Sequence, residues 1–188
     1  MKIAIVYHSV TGTTAQLAEA VAAGCRSIAA ADPQLLRIKG TDIQQGRYQN
    51  SAVFEVINQA DAVIFGSPTF MGSVSAQFKA FADATAGDYW TEQRWANKVA
   101  AGFTVGTGYC GDTLHSLHYL QILAAQQGML WAGLDLAGAG DAKAPNRLGA
   151  QAGLIARAVN EAIEEPDLQT AFYLGQRVAL VASRLRQV

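Results

Sequence analysis

The chain has 188 residues, 51% of them hydrophobic and only 15% charged, with a formal net charge of -1. That balance argues against disorder, leaves no basic footprint for nucleic acid or an anionic membrane surface, and suffices for one well-packed domain, read as residues 1–188. Cys25 and Cys110 form no CxxC pair, and no run approaches the roughly 18–20 apolar residues of a membrane span, so a reducing, cytoplasmic setting is expected.

The first predicted strand, Ile3–Tyr7, opens into Ser9-Val10-Thr11-Gly12-Thr13-Thr14. A helix follows from Thr13 to Arg26, with Leu17, Ala18, Val21, Ala22 and Cys25 at the spacing of one amphipathic face. Leu35–Ile38 reads as a second strand, Gly40–Ser51 as a polar loop, and a short helix runs through Val56 and Ile57. Asp61–Gly66 is a third strand, apolar on both faces as parallel strands are, and Pro68–Gly72 reads as a turn. Val74–Thr85 is a helix burying Phe78 and Phe81. Val99–Val105 is the fourth strand and Gly106–Gly111 a glycine-rich loop. Asp112 or Thr113 caps a helix carrying Leu114, Leu117 and Leu120. Met129–Ala132 is the fifth strand, Leu136–Gly149 a small-residue loop, and Pro166 opens a last helix through Leu185. Strict alternation of this kind predicts an α/β fold: a flavodoxin-like, doubly wound five-stranded parallel sheet, order 2-1-3-4-5, with helices on both faces.

In such sheets ligands sit beyond the carboxyl ends of the strands. Three loops fall there. The first joins a strand to a helix start, whose free N–H groups and dipole favour an anion. No Lys or Arg occurs between Lys2 and Arg26, so the anion is held by hydroxyls and backbone N–H groups. The Gly-Lys-Ser/Thr ending of a triphosphate loop is missing, and so are the three spaced glycines of a dinucleotide fingerprint. A single terminal phosphate, as in flavin mononucleotide (FMN), suits this turn. The second loop, Pro68-Thr69-Phe70-Met71-Gly72 after Gly66-Ser67, offers close backbone approach and an apolar wall to a flat ring. The third, Thr104-Val105-Gly106-Thr107-Gly108-Tyr109-Cys110-Gly111, offers exposed N–H groups to a ring edge where negative charge builds on reduction.

Together the three loops resemble the flavodoxin superfamily, and within it the NAD(P)H:quinone oxidoreductases of the WrbA type and NADPH-dependent FMN reductases. Ala76-Gln77-Phe78-Lys79-Ala80-Phe81, Gln127-Gly128-Met129 and Asp167–Ala171 with Gly175 extend the resemblance over most of the chain. The resemblance implies FMN, its phosphate on Ser9–Thr14, its ring flanked by Pro68–Met71 and its pyrimidine side met by Thr104–Gly111. It implies hydride transfer from NAD(P)H to a quinone-like acceptor, with no catalytic side chain assigned, and a homodimer or homotetramer. Gln126-Gln127 stands where relatives often carry a histidine before the Gly-Met of strand five. The competing readings are a flavodoxin-type electron carrier and a non-catalytic flavin-binding oligomeric adaptor. His115 and His118, three apart on a helix, lack a third ligand and are read as a solvated or subunit-facing pair; no metal is expected. Gly138–Asn146 reads as a lid or a subunit contact.

Overall fold

The computed structural model describes residues 1–138 and 140–186. In chain order they form β1 (Lys2–Tyr7), α1 (Thr13–Arg26), β2 (Asp32–Arg37), β3 (Ile43–Gln44), β4 (Arg47–Tyr48) and α2 (Ser51–Gln59). Next come β5 (Ala62–Phe70), β6 (Ser73–Val74), α3 (Ala76–Ala84), α4 (Asp88–Thr91) and β7 (Val99–Gly106). The chain continues through α5 (Thr113–Gln126), β8 (Leu130–Trp131), β9 (Leu154–Val159), β10 (Ala162–Ile163) and α6 (Glu165–Leu185).

The main sheet runs β10-β9-β7-β5-β1-β2, with β8 pairing β7 and β6 pairing β5. Strands β2, β1, β5, β7 and β9 are parallel neighbours, so the expected order holds with one correction. The fifth position is shared by two strands. β8 pairs the start of β7, at Val99 and Ala100, and β9 pairs its end, from Phe103 to Gly106. The expected strand at Met129–Ala132 is therefore only the first half of the fifth position. The chain leaves the sheet after it and returns at Leu154.

Alternating strand residues serve opposite faces. Ile3, Ile5, Tyr7, Ile64 and Phe103 pack with Leu17, Val21, Leu174 and Val178 of α1 and α6. Ala4, Val6, Val63 and Phe65 pack on the other face with Phe54, Phe78, Phe81, Trp95 and Leu120. α1 and α6 cross at closest approach through glycine: a Cβ on Gly175 would lie 2.0 Å from the Val21 carbonyl oxygen, and one on Gly24 1.9 Å from that of Phe172.

Two local readings change. Pro68–Gly72 is not a free turn. β5 continues through Phe70 and returns in β6, Thr69 facing Val74 and Phe70 facing Ser73, with Met71 (φ 48) and Gly72 (φ 78) as a two-residue turn. Two successive positive φ angles give the turn a twist that matches its strands. The polar loop at 40–51 contains the β3–β4 hairpin, which buries Tyr48 against Phe54 and Phe81.

The excursion between β8 and β9 is pinned by Arg147. Its guanidinium donates to both Asp167 oxygens at 2.8 and 2.9 Å and to Glu164 at 2.6 Å, at the start of α6. Asn146 donates to the Leu136 carbonyl and accepts from Ala150 N–H, closing the loop on itself. Ala139, part of the expected lid, lies outside the described residues.

Candidate functional site

The three loops meet as expected, at the carboxyl ends of β1, β5 and β7. They enclose a cavity of about 370 Å³, within the ~300–1,000 Å³ range of small-molecule sites. Val10, Thr11, Thr13 and Thr14 line it from the first loop, Pro68, Thr69 and Phe70 from the second, and Val105, Gly106 and Thr107 from the third.

A fourth wall escaped the sequence reading. Ala158, Asn160 and Glu161 belong to the β9–β10 hairpin, whose turn residues Asn160 and Glu161 both have positive φ. Gln16 of α1 ties that hairpin down, its amide donating to the Glu161 carbonyl and accepting from Ile163 N–H. The Leu-Ile-Ala-Arg-Ala-Val run followed by Asn-Glu carried a strand-and-turn signal, weakened by two alanines and an arginine.

The first loop offers the donors that an anion would need. Gly12 precedes α1 at φ 96, a conformation open to glycine, and no side chain caps the helix there. The first-turn N–H groups of α1 are thus free of side-chain acceptors, except that Ser9 Oγ accepts from Ala15 N–H at 3.3 Å. Thr14 Oγ1 is buried and has no hydrogen-bond partner, although its residue lines the cavity. An orphaned hydroxyl beside free N–H groups fits a phosphate, which supplies acceptor oxygens to both. The donor set therefore suits the terminal phosphate of FMN.

The backs of the loops are laced together. His8 N–H donates to the Gly66 carbonyl at 3.0 Å, joining the first loop to β5. The buried His8 ring places Nδ1 2.8 Å from Ser75 Oγ, the N-cap of α3, which also accepts from Phe78 N–H. Burial, with the Arg37 guanidinium adding to it, holds the imidazole below its ordinary pKa. Thr104, fully buried, donates to the Ser67 carbonyl at 2.7 Å. Among the described residues a cation does reach the first loop, from another strand: Arg37 Nη2 donates to the Ser9 carbonyl at 2.8 Å. It was not expected, because it enters from β2 and not from the loop's own sequence.

The remaining predicted residues lie outside the cavity wall. Ser9, Gly12 and Thr104 are next in sequence to lining residues but do not themselves line the cavity. Met71 projects fully into solvent at the hairpin tip, and the Gly72 carbonyl faces His115 Nδ1 at 2.7 Å. Gly108, Tyr109 and Gly111 do not line the cavity. Tyr109 lines a second cavity of about 710 Å³ with Cys110, His115 and His118, and its ring stacks under the Arg157 guanidinium at 4.1 Å. Leu148 and Gly149 also line that second cavity, whereas none of residues 138 and 140–146 lines the first. Gln127 points into the core and donates to Thr85 Oγ1 at 2.9 Å. Among the described residues no cluster of three or more His, Cys, Asp or Glu is placed to hold a metal ion.

The comparisons agree with this geometry. The family described as NADPH-dependent FMN reductase matches residues 1–137. Flavodoxin FldP of Pseudomonas aeruginosa is 35% identical over 98% of both chains, as is an NAD(P)H dehydrogenase (quinone) of Archaeoglobus fulgidus. The crystal structure of a flavodoxin, WrbA-like protein from Agrobacterium tumefaciens superposes with a TM-score of 0.76 at 35% identity, covering 97% of this chain and 98% of that one. With its sheet order, its three converging loops and this likeness along nearly its whole length, the chain belongs to the NADPH-dependent FMN reductase family.

Proposed function

We propose that this chain takes a hydride from NAD(P)H and passes electrons to a quinone or similar small acceptor, as a single-domain cytoplasmic homo-oligomer. Membership in the family makes it an FMN-dependent NAD(P)H oxidoreductase. The observation that carries the site assignment is the unpartnered Thr14 hydroxyl beside the free start of α1, in the cavity where all three loops converge.

When bound, FMN supplies the two-electron chemistry that links the two substrates. The protein's part is binding and orientation. Ser9–Thr14 would hold the phosphate, Pro68-Thr69-Phe70 would wall the ring, and Val105-Gly106-Thr107 would meet its polar edge. Among the described residues Glu161 is the one titratable side chain on the cavity wall, so they form no acid–base pair there. Electron transfer through a bound cofactor suits such a lining better than general acid–base catalysis. The quinone acceptor is supported by relatives named NAD(P)H dehydrogenase (quinone), five of them 30–35% identical over at least 98% of this chain.

Rapid mixing of the yellow holoprotein with NADPH, NADH and then a soluble benzoquinone tests the reading. Direct bleaching by a pyridine nucleotide, reversed by quinone under anaerobic conditions, is the expected result. Bleaching that requires a separate reductase would make the chain an electron carrier, in line with its FldP relative. A purified protein that neither carries nor takes up FMN would overturn the assignment altogether.

A further inference from the structure

The side chain of Arg37 has no role in the reading above. It ends β2, directly beside Tyr7 of β1 in the parallel register, so it stands where the first loop departs. Its Nη2 donates to the Ser9 carbonyl at 2.8 Å. Among the described residues it forms no ion pair, as is true of Arg26, Arg47 and Arg184, but of these four it is the one that donates to the first loop. The charge is felt locally, because it opposes protonation of His8 and favours ionisation of Tyr7. A lone guanidinium bound to a loop carbonyl leaves most of its five donors uncommitted.

The loop it touches is the one with the orphaned Thr14 hydroxyl and the uncapped helix start. Neutral donors can satisfy the lone pairs of a phosphate monoester, but they do not cancel its charge of nearly two units at neutral pH. We propose that Arg37 is the charge-compensating residue for a phosphate monoester at this loop, fixing Ser9 through its carbonyl and supplying the positive field that hydroxyls and N–H groups lack. The inference rests on the flavin reading and commits to the 5′-phosphate of the flavin. The 2′-phosphate of NADPH carries the same chemistry and is the alternative source.

The experiment strips the flavin and measures binding of FMN and of riboflavin, which lacks the phosphate, by quenching of flavin fluorescence. Wild type, Arg37→Gln and Arg37→Lys are compared at low and high salt. Arg37→Gln is expected to lower the FMN-over-riboflavin preference roughly tenfold while leaving riboflavin affinity in place. Arg37→Lys should restore most of that preference, and raising salt should weaken FMN binding more steeply in wild type than in Arg37→Gln. Equal weakening of both flavins would reduce Arg37 to a strut of the loop and overturn the inference. Unchanged flavin binding with a lost preference for NADPH over NADH would move its role to the nucleotide and overturn it as well. If wild type binds neither flavin, the flavin reading fails first and carries this inference with it. If wild type binds both equally well, only the phosphate assignment fails.

Discussion

Thr69 Oγ1 lies 2.8 Å from Thr104 Oγ1, a side-chain contact that joins the second loop of the site to the third. The direction of the bond follows from counting protons. Thr104 donates its proton to the Ser67 carbonyl, so toward Thr69 it accepts. Thr69 thereby commits its own proton to Thr104, and Ser116, 2.8 Å away on α5, must donate to Thr69. A one-way chain of three hydroxyls ends on the backbone of β5 beneath the cavity.

Removing the middle of that chain leaves a buried donor unpaired. Thr69→Val is expected to destabilise the protein by about 1–3 kcal/mol, whereas Thr69→Ser should cost far less, since the hydroxyl survives. Urea unfolding of both variants checks the difference. Flavin affinity should fall with Thr69→Val in parallel, because the two loops lose their shared register. Stability equal to wild type in Thr69→Val would remove the chain from any account of the site.

His8 gives the fold a pH dependence of definite sign. Its folded-state pKa is lowered, first by burial and then by Arg37, while the unfolded value stays near ~6.5. Between the two values the unfolded state binds more protons, so stability rises with pH there. Stability is therefore full above about pH 6.5, falls as the pH drops below it, and levels off beneath the folded value. Urea midpoints should decline across that window in wild type and stay flatter in His8→Gln, which keeps a polar partner for Ser75. The carboxylates with depressed values, Glu92, Asp135 and Glu164, lose their stabilising contribution as the pH falls below the ordinary carboxylate range, under the start of the His8 decline.

The crossing of α1 and α6 predicts that two glycine substitutions behave oppositely. At Gly175 an added methyl meets backbone on the facing helix, the Val21 carbonyl oxygen at 2.0 Å and Cys25 N at 2.9 Å, and backbone cannot swing aside. Gly175→Ala should cost about 1–3 kcal/mol or more, read as a lowered thermal midpoint. Gly40 has no neighbour within 4 Å and an ordinary φ, so Gly40→Ala should be neutral or stabilising by up to about 1 kcal/mol.

Arg147 and Asp167 are both nearly excluded from solvent, with side-chain exposures of 8% and 2%. Breaking such a pair from one side leaves a buried charge, at a cost of about 3–5 kcal/mol. Arg147→Ala is thus expected to be more damaging than Asp167→Asn, whose one oxygen, at the Oδ2 position, still accepts from Arg147 Nη2 and from Arg157 N–H. Amide exchange should accelerate first in the excursion between β8 and β9, which this cluster pins. A uniform acceleration through the sheet would contradict that role.

How much of this was legible in the sequence differs from loop to loop. β1, β5 and α1 announce themselves because central parallel strands are apolar on both faces and α1 repeats its apolar residues at helical spacing, whereas β2, an edge strand that buries only Pro33, was read from Leu35 and begins at Asp32. Thr14 and Thr69, which line the cavity, were readable as candidates because they fall in the segments that follow the apolar runs of β1 and β5. The β9–β10 wall was not, because Ala156 and Ala158 are weak strand signals and the excursion before them hides that they complete the fifth position. Arg37 was half legible. Strand order 2-1 puts the end of β2 beside the first loop, yet an inventory of that loop's own residues cannot show a cation that arrives from the neighbouring strand. Tyr109 misled in the other direction, since a glycine-rich loop gives no sign of the point at which it turns away from its cavity.

Gly12 allows the anion site to be tested apart from packing. Its φ of 96 burdens any replacement by about 1–2 kcal/mol of backbone strain, but a Cβ there meets nothing within 4 Å. Gly12→Asn and Gly12→Asp therefore share strain, size and freedom from collision, and differ by one negative charge. Asparagine also tolerates positive φ, so Gly12→Asn should retain much of its flavin. Gly12→Asp places a carboxylate where the phosphate is expected, and like charges at this range repel strongly. Flavin content after purification should be nearly abolished in the aspartate variant alone, with riboflavin binding by the stripped protein much less affected. Equal flavin content in the two variants would show that no anion sits at the start of α1.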